Sequence, residues 1–277
     1  MKRIMTIQDI SCVGKCSLTV ALPIISAMGV ECGIVPTAVL STHTMFQGFT
    51  FKDLTDEMAP IADHWQKENF RFDAIYTGYL GSFEQIELVG DYIDRFKGED
   101  TLVFIDPVMA DHGKLYAGFD QAFADEMAKL CAKADVIVPN LTEACFMTHS
   151  EYKVDGDEAY IKDMLNKLAA LGAKKVVLTG VCFEPGKTGF VDMDAATGEF
   201  FTQAHEKIDA GYHGTGDIFS STAVGALMRG KSLPEALALA GDYTKECIRV
   251  TVENGKKDCY GVDFEEVIPY LVKKINE

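Results

Sequence analysis

Apolar residues along the chain fall into two alternating textures. Short, nearly continuous apolar runs occupy Arg3–Ile7, Cys32–Val39, Ala74–Thr77, Leu102–Ile105, Val136–Val138 and Lys175–Thr179, each of strand length. Between them, apolar positions recur at helical spacing in Ser17–Met28, Asp53–Asn69, Phe83–Phe96, Gln121–Cys131 and Glu158–Leu171. Strands apolar on both faces, separated by amphipathic helices, predict a mostly parallel sheet with helices on both faces. Past Thr179, the stretch GFVDMDAATGEFFTQ alternates on either side of Ala196-Thr197-Gly198 and reads as a hairpin. Three helices, Thr215–Met228, Pro234–Val252 and Phe264–Lys274, then close the chain. No linker, repeat or low-complexity segment interrupts the pattern, which predicts one α/β domain over residues 1–277.

Composition narrows the partners. Lys and Arg number 26 and Asp and Glu 42, a net charge of −16 that argues against nucleic acid and anionic membranes. Small anions stay allowed, because a local nest of backbone N–H groups binds phosphate within an acidic protein. The N-terminus MKRIMTIQDI lacks signal-peptide features, and no apolar run reaches the length of a membrane span. The eight cysteines form no C-x-x-C pair and read as free, mostly buried thiols of a reduced cytoplasm. The predicted location is cytoplasmic.

The segment GVCFEPGKTG, from Gly180 to Gly189, imitates a phosphate-binding loop. Its glycines enclose five residues where the P-loop pattern needs four, and a hairpin follows where that loop opens a helix. Lys187 therefore reads as a solvated hairpin lysine. In parallel α/β sheets, ligands sit beyond the carboxyl ends of the strands. Those ends carry Gln8-Asp9, STHTMF, GYLGS, DPVMAD, PNLTE and Gly180.

The richest segment is Gly214-Thr215-Gly216-Asp217, at the start of a helix with Ile218, Phe219, Val224, Leu227 and Met228 on its apolar face. Glycines admit close backbone approach, and first-turn N–H groups lack helical partners, so the turn can serve as an anion hole. The helix dipole favours the carboxylate form of Asp217, which suits a base taking a proton from an attacking hydroxyl. A capping aspartate on a tight turn explains the same four residues equally well.

With its neighbours, this segment resembles the ribokinase-like sugar and vitamin kinases, and within them the pyridoxal kinase family. Ile7-Gln8, Ser41-Thr42-His43-Thr44, Thr77-Gly78-Tyr79, Asp106-Pro107-Val108-Met109 with Asp111, Pro139-Asn140 with Glu143, Thr179 and Gly214–Phe219 follow that family's motifs in order. The resemblance implies a ribokinase-like three-layer fold and ATP-dependent phosphorylation of the 5′-hydroxymethyl group of a B6 vitamer. Asp217 would be the catalytic base, and Gly214, Thr215 and Gly216 would hold the transferring phosphoryl group. Asp106, Asp111, Asn140, Glu143 and Thr179 would line the ATP phosphates together with Thr215 and Gly216. Asp111 and Glu143 would bind Mg²⁺, partly through water, and a monovalent cation is admitted. His43, Thr44, Tyr79 and Tyr116 would wall the pyridine ring. Relatives of this kind are commonly homodimers.

Three departures stand out. Asp9 replaces a family serine that contacts the ring, and a carboxylate there would favour a protonated ring nitrogen or an amino group. The loop SCVGKCSLT keeps only Gly14 of the family's pattern, and Tyr212-His213 precedes the glycine turn. Phosphorylation of hydroxymethylpyrimidine or its phosphate is the alternative reaction, and a non-catalytic ligand-binding relative the alternative class. Retention of Asp217 favours the B6 kinase, and no G-x-G-x-x-G follows the first strand to suggest a dinucleotide.

Overall fold

In the computed structural model, residues 1–184, 186–206, 208, 211–255 and 261–277 are described. The chain begins β1 (Arg3–Ser11), α1 (Leu18–Ala27), β2 (Glu31–Leu40), β3 (Phe51–Asp53), α2 (Thr55–Lys67) and β4 (Ala74–Thr77). It continues with α3 (Phe83–Phe96), β5 (Leu102–Ile105), β6 (Ala110–Asp111), β7 (Lys114–Leu115), α4 (Gln121–Cys131), β8 (Val136–Ile137) and α5 (Leu141–Met147). Then come α6 (Glu158–Ala170), β9 (Lys175–Thr179), β10 (Lys187–Asp194), β11 (Phe200–Glu206), α7 (Thr215–Met228), α8 (Leu233–Glu253) and α9 (Phe264–Ile275).

Two compact units divide the chain. The first comprises Met1–Gly78, Gly98–Thr101 and Ile208–Glu277, the second Tyr79–Lys97 and Leu102–Lys207. In the first, strands run in the order β4-β1-β2-β3, with β4, β1 and β2 parallel and β3 antiparallel. The register of β1 against β2 shifts at Asp9: Gln8 faces Pro36 whereas Ile10 faces Val39. Such irregularities re-aim a side chain without ending the strand. Helices α1, α7, α8 and α9 share a core of Val20, Ile24, Met28, Ile218, Tyr243 and Leu271. Helix α7 is buried all round from Asp217 to Ala226 rather than along one face, which is what a central helix requires.

In the second unit the order is β11-β10-β9-β8-β5, with β5, β8 and β9 parallel and β10 and β11 antiparallel. The expected hairpin is therefore β10–β11. Helix starts carry side-chain caps: Ser82 accepts from Gln85 N at 3.2 Å, Asp120 from Phe123 N at 3.0 Å, and Asp157 from Tyr160 N at 2.9 Å.

Strand β1 runs four residues beyond the expected Ile7, because Gln8, Ile10 and Ser11 continue the ladder with β2. Three short elements have no counterpart in the apolar pattern: β3, the β6–β7 ribbon and α5. The ribbon turns at His112-Gly113, both at positive φ (50° and 75°), the pairing a tight hairpin turn needs. Cys16, Cys131, Cys145 and Cys247 are buried, Cys32 and Cys182 half-buried and Cys12 exposed, all as free thiols; Cys259 lies outside the described residues. No described helix is long and apolar enough to cross a membrane.

Candidate active site

In the first unit, Gly214 caps α7 at φ 78°, and a Cβ there would lie 2.0 Å from the Lys15 carbonyl oxygen. Only glycine suits that turn, on both counts. Thr215, Gly216 and Asp217 form the first helical turn, and Asp217 is buried. Its Oδ2 accepts the backbone N–H of Ser17 at 2.9 Å. The first-turn backbone of α7 and the Asp217 carboxylate thus share one turn of the helix.

Asp9 is buried as well, and both its oxygens are engaged. Oδ1 accepts the Ser17 hydroxyl at 2.5 Å and Oδ2 the Ser11 hydroxyl at 3.1 Å. Burial pushes its carboxyl above the ordinary aspartate range, while the two serine hydroxyls oppose that rise. The Cys16 thiol is raised to about 12, first by burial and then by the charges of Asp217 and Asp9. It is accordingly inert as a nucleophile near neutrality.

The loop SCVGKCSLT connects these groups. A Cβ on Gly14 would lie 2.2 Å from His43 Cδ2, so the loop backbone lies flush against that imidazole. The Lys15 ammonium pairs at 2.8 Å with both Asp263 and Glu265, holding the loop to the start of α9. His43 is buried, its Nδ1 accepting Met45 N at 3.3 Å, and its ring lies 4.8 Å from Phe46 and 4.2 Å from His213. His43 and His213 therefore form one aromatic wall, while Thr44 is exposed.

In the second unit, Asp106 follows β5 and is buried. Asn140 and Glu143 form a capping box on α5: Asn140 Oδ1 accepts Glu143 N at 2.9 Å, and Glu143 Oε2 accepts Asn140 N at 2.8 Å. Glu143 Oε1 also accepts Met109 N at 3.0 Å, tying the helix to the DPVMAD loop. Burial, then the nearby Asp106 charge, hold the Glu143 carboxyl well above its usual range against those backbone bonds. Asn140 Nδ2 donates to Ala110 O at 2.8 Å, and Thr179 N donates to Pro139 O at 2.9 Å. Asn140 and Glu143 thus tie α5 to the loop after β5 that runs from Asp106 to Asp111, and Thr179 at the end of β9 meets the residue before Asn140.

Asp111 is exposed on the ribbon, where its Oδ1 accepts His112 N at 2.7 Å. Among the described residues, no three His, Cys, Asp or Glu side chains are grouped to hold a metal ion. Tyr79 is half-buried with its ring 5.7 Å from Phe119, and Tyr116 is exposed on the loop after β7. The Gly180–Gly189 segment leads from β9 into β10 and opens no helix. Lys187 there pairs with Glu184 at 2.6 Å, the solvated role expected of it. Ser17, Ser11 and Lys15 are the residues that sequence reasoning passed over. A strand-end serine, a helix-cap serine and a loop lysine carry no periodic signal, and only a carboxylate at position 9 hinted that donors must surround it.

The chain is similar to known proteins over nearly its whole length. The profile of the family described as phosphomethylpyrimidine kinase matches residues 22–261. A pyridoxine/pyridoxal/pyridoxamine kinase of Bordetella avium is 30% identical over 267 residues, covering 90% of this chain and 85% of its own. A Bacteroides thetaiotaomicron structure with pyridoxal, provisionally described as a phosphomethylpyrimidine kinase, is 42% identical with a TM-score of 0.91, over 98% of this chain and 95% of that one. Pyridoxal kinase from Lactobacillus plantarum is 31% identical with a TM-score of 0.90, over 99% and 97%. With its glycine-turn helix and its mostly parallel strands, the chain belongs to the phosphomethylpyrimidine kinase family, in the ribokinase-like fold it shares with pyridoxal kinases.

Proposed function

We propose that this kinase transfers the γ-phosphoryl group of ATP to the 5′-hydroxymethyl oxygen of a B6 vitamer, residues 1–277 acting as a single kinase domain. The observation that carries the reading is Asp217, a buried carboxylate in the first turn of α7, beside the N–H groups of the Gly214-Thr215-Gly216 turn. Asp217 takes the hydroxyl proton as that oxygen forms its bond to phosphorus. The bond from phosphorus to the ADP oxygen breaks, ADP departs with its electron pair, and the glycine turn bears the charge in flight.

His43, Thr44, Tyr79 and Tyr116, together with Asp9, bind the ring in this reading. Asp106, Asp111, Asn140, Glu143 and Thr179 face the nucleotide. Mg²⁺ fits the donors available: Asp111 is an exposed carboxylate, whereas both Glu143 oxygens accept backbone N–H groups. Such a set suits an ion held mainly by phosphate oxygens and water, with Glu143 acting through water. The bound ion would neutralise phosphate charge. A homodimer in the cytoplasm completes the proposal.

Relatives named for B6 vitamers, and the 42% identical structure with pyridoxal, support this substrate. The family's own description favours a second reading, phosphorylation of hydroxymethylpyrimidine or its phosphate. The deciding experiment measures ATP-dependent phosphorylation of pyridoxal, pyridoxine, pyridoxamine and hydroxymethylpyrimidine by wild type and Asp217→Asn. Turnover of a B6 vitamer that collapses in the variant is expected. Turnover of the pyrimidine alone moves the substrate, and no turnover at all leaves a ligand-binding relative.

A further inference from the structure

Ser17 stands at φ 52° and ψ −134°, a backbone conformation that glycine adopts freely and serine does not. A residue persists in such a region when its surroundings over-determine it, and such residues gather at functional sites. Ser17 is also the N-cap of α1, where a serine hydroxyl ordinarily accepts from the first turn; here it makes no capping bond. The hydroxyl is turned instead to Asp9 Oδ1, and the backbone N–H to Asp217 Oδ2. Ser17 is buried, so water does not substitute for either bond.

We propose that Ser17 is a positioning residue of the reaction, bridging Asp9 and Asp217 so that the orientation of the base is set through the carboxylate on β1. The inference rests on the kinase reading above and concerns the same site. Its logic is a division of labour. Asp9 receives hydroxyls from Ser17 and Ser11 and anchors the Ser17 side chain. That anchor holds the Ser17 peptide in its glycine-like conformation, which presents the N–H to Asp217. Lys15, paired with Asp263 and Glu265, holds the loop from its other end. An acceptor-only carboxylate at position 9 can take both hydroxyls at once, which a serine there would do poorly. Asp9 therefore reaches the chemistry through the tether.

The test compares wild type, Ser17→Gly, Ser17→Ala and Asp217→Asn in melting temperature, in kcat and KM on the vitamer that wild type prefers, and in the pH profile of kcat. Glycine relieves the strained φ and so offsets the deleted hydroxyl bond, and Ser17→Gly should melt well above Ser17→Ala. Its kcat should still fall about tenfold or more, part of the roughly 10²–10⁴-fold a positioned base contributes, with KM for ATP unchanged. The acid limb of its profile should move to higher pH, because the Asp217 carboxylate loses a well-directed N–H donor that favours its charged form. Ser17→Ala should show the same kinetic loss with a lower melting temperature. A kcat within about twofold of wild type at every pH overturns the inference. So does loss of kcat only in step with loss of melting temperature. Wild type inactive on every substrate overturns the kinase reading and this inference with it, an outcome distinct from active enzyme with active Ser17 variants.

Discussion

The Ser17 hydroxyl donates to Asp9 Oδ1 at 2.5 Å, so the residue that opens α1 is bound to the irregular point of β1. Through its backbone N–H the same residue reaches Asp217 on α7. A short loop thereby joins two buried carboxylates from opposite ends of the chain.

Asp9→Ser should alter vitamer preference. A carboxylate near the ring favours a cationic group on the substrate, so the ratio of kcat/KM for pyridoxamine over pyridoxal should fall in the variant. Steady-state assays of both vitamers decide this. An unchanged ratio would restrict Asp9 to anchoring Ser17.

Lys15→Met should destabilise the protein by about 1–2 kcal/mol, because the pair is half-buried and the cost falls on the buried Asp263 carboxylate left with one donor fewer. Asp263 is almost fully buried, and its Oδ2 also accepts the Asn254 amide at 3.0 Å. Adding Asp263→Asn should recover part of the loss. Urea denaturation of the single and double variants measures both terms.

Gly214→Ala should cost at least about 1–2 kcal/mol from the positive φ alone. The added Cβ would also displace the Lys15 carbonyl and with it the loop that carries Ser17. Stability and kcat should therefore fall together, the contrast expected with Ser17→Gly. Denaturation midpoints and turnover on one preparation make the comparison.

Asp192→Asn should change how stability depends on pH. Asp192 is buried on β10, its Oδ1 has no hydrogen-bond partner among the described residues, and burial raises its carboxyl to about 6 from an ordinary 3.8. A raised folded-state value means the folded protein holds the proton more tightly than the unfolded chain. That stability is fully present below pH 3.8 and is lost as pH rises through about 6. The asparagine variant should therefore melt higher than wild type at pH 7.5 and lose that advantage near pH 4.5. Thermal melts in matched buffers test the sign.

Much of this architecture is legible in the residues themselves. The bounds of α3, α4 and α7, and of β4, β5 and β9, coincide with the apolar runs and periods of the sequence, because each buries enough apolar residues for its extent to register. The glycine turn before Asp217 is legible too, since few contexts other than a close backbone approach call for G-T-G at a helix start. By contrast, β3 and the β6–β7 ribbon are two or three residues long, and their strand character lies in partners rather than in any pattern of their own. Helix α5 is short, and its Asn140–Glu143 capping box uses the same carboxylate that the resemblance assigns to the phosphates and Mg²⁺, so its helical role shows only in the structure.

The sequence by itself determined that strands and helices alternate, that the sheet is mostly parallel, and which carboxylates stand at strand and helix ends. Local propensity and burial periodicity act within a dozen residues, so they are written into the order of side chains. Only the tertiary structure decided that Ser17 would bridge Asp9 and Asp217, that His213 would lie against His43, and that burial would raise the Asp9 and Glu143 carboxyls. Those outcomes depend on groups far apart in the chain meeting where water is excluded, and no single stretch of residues carries that information.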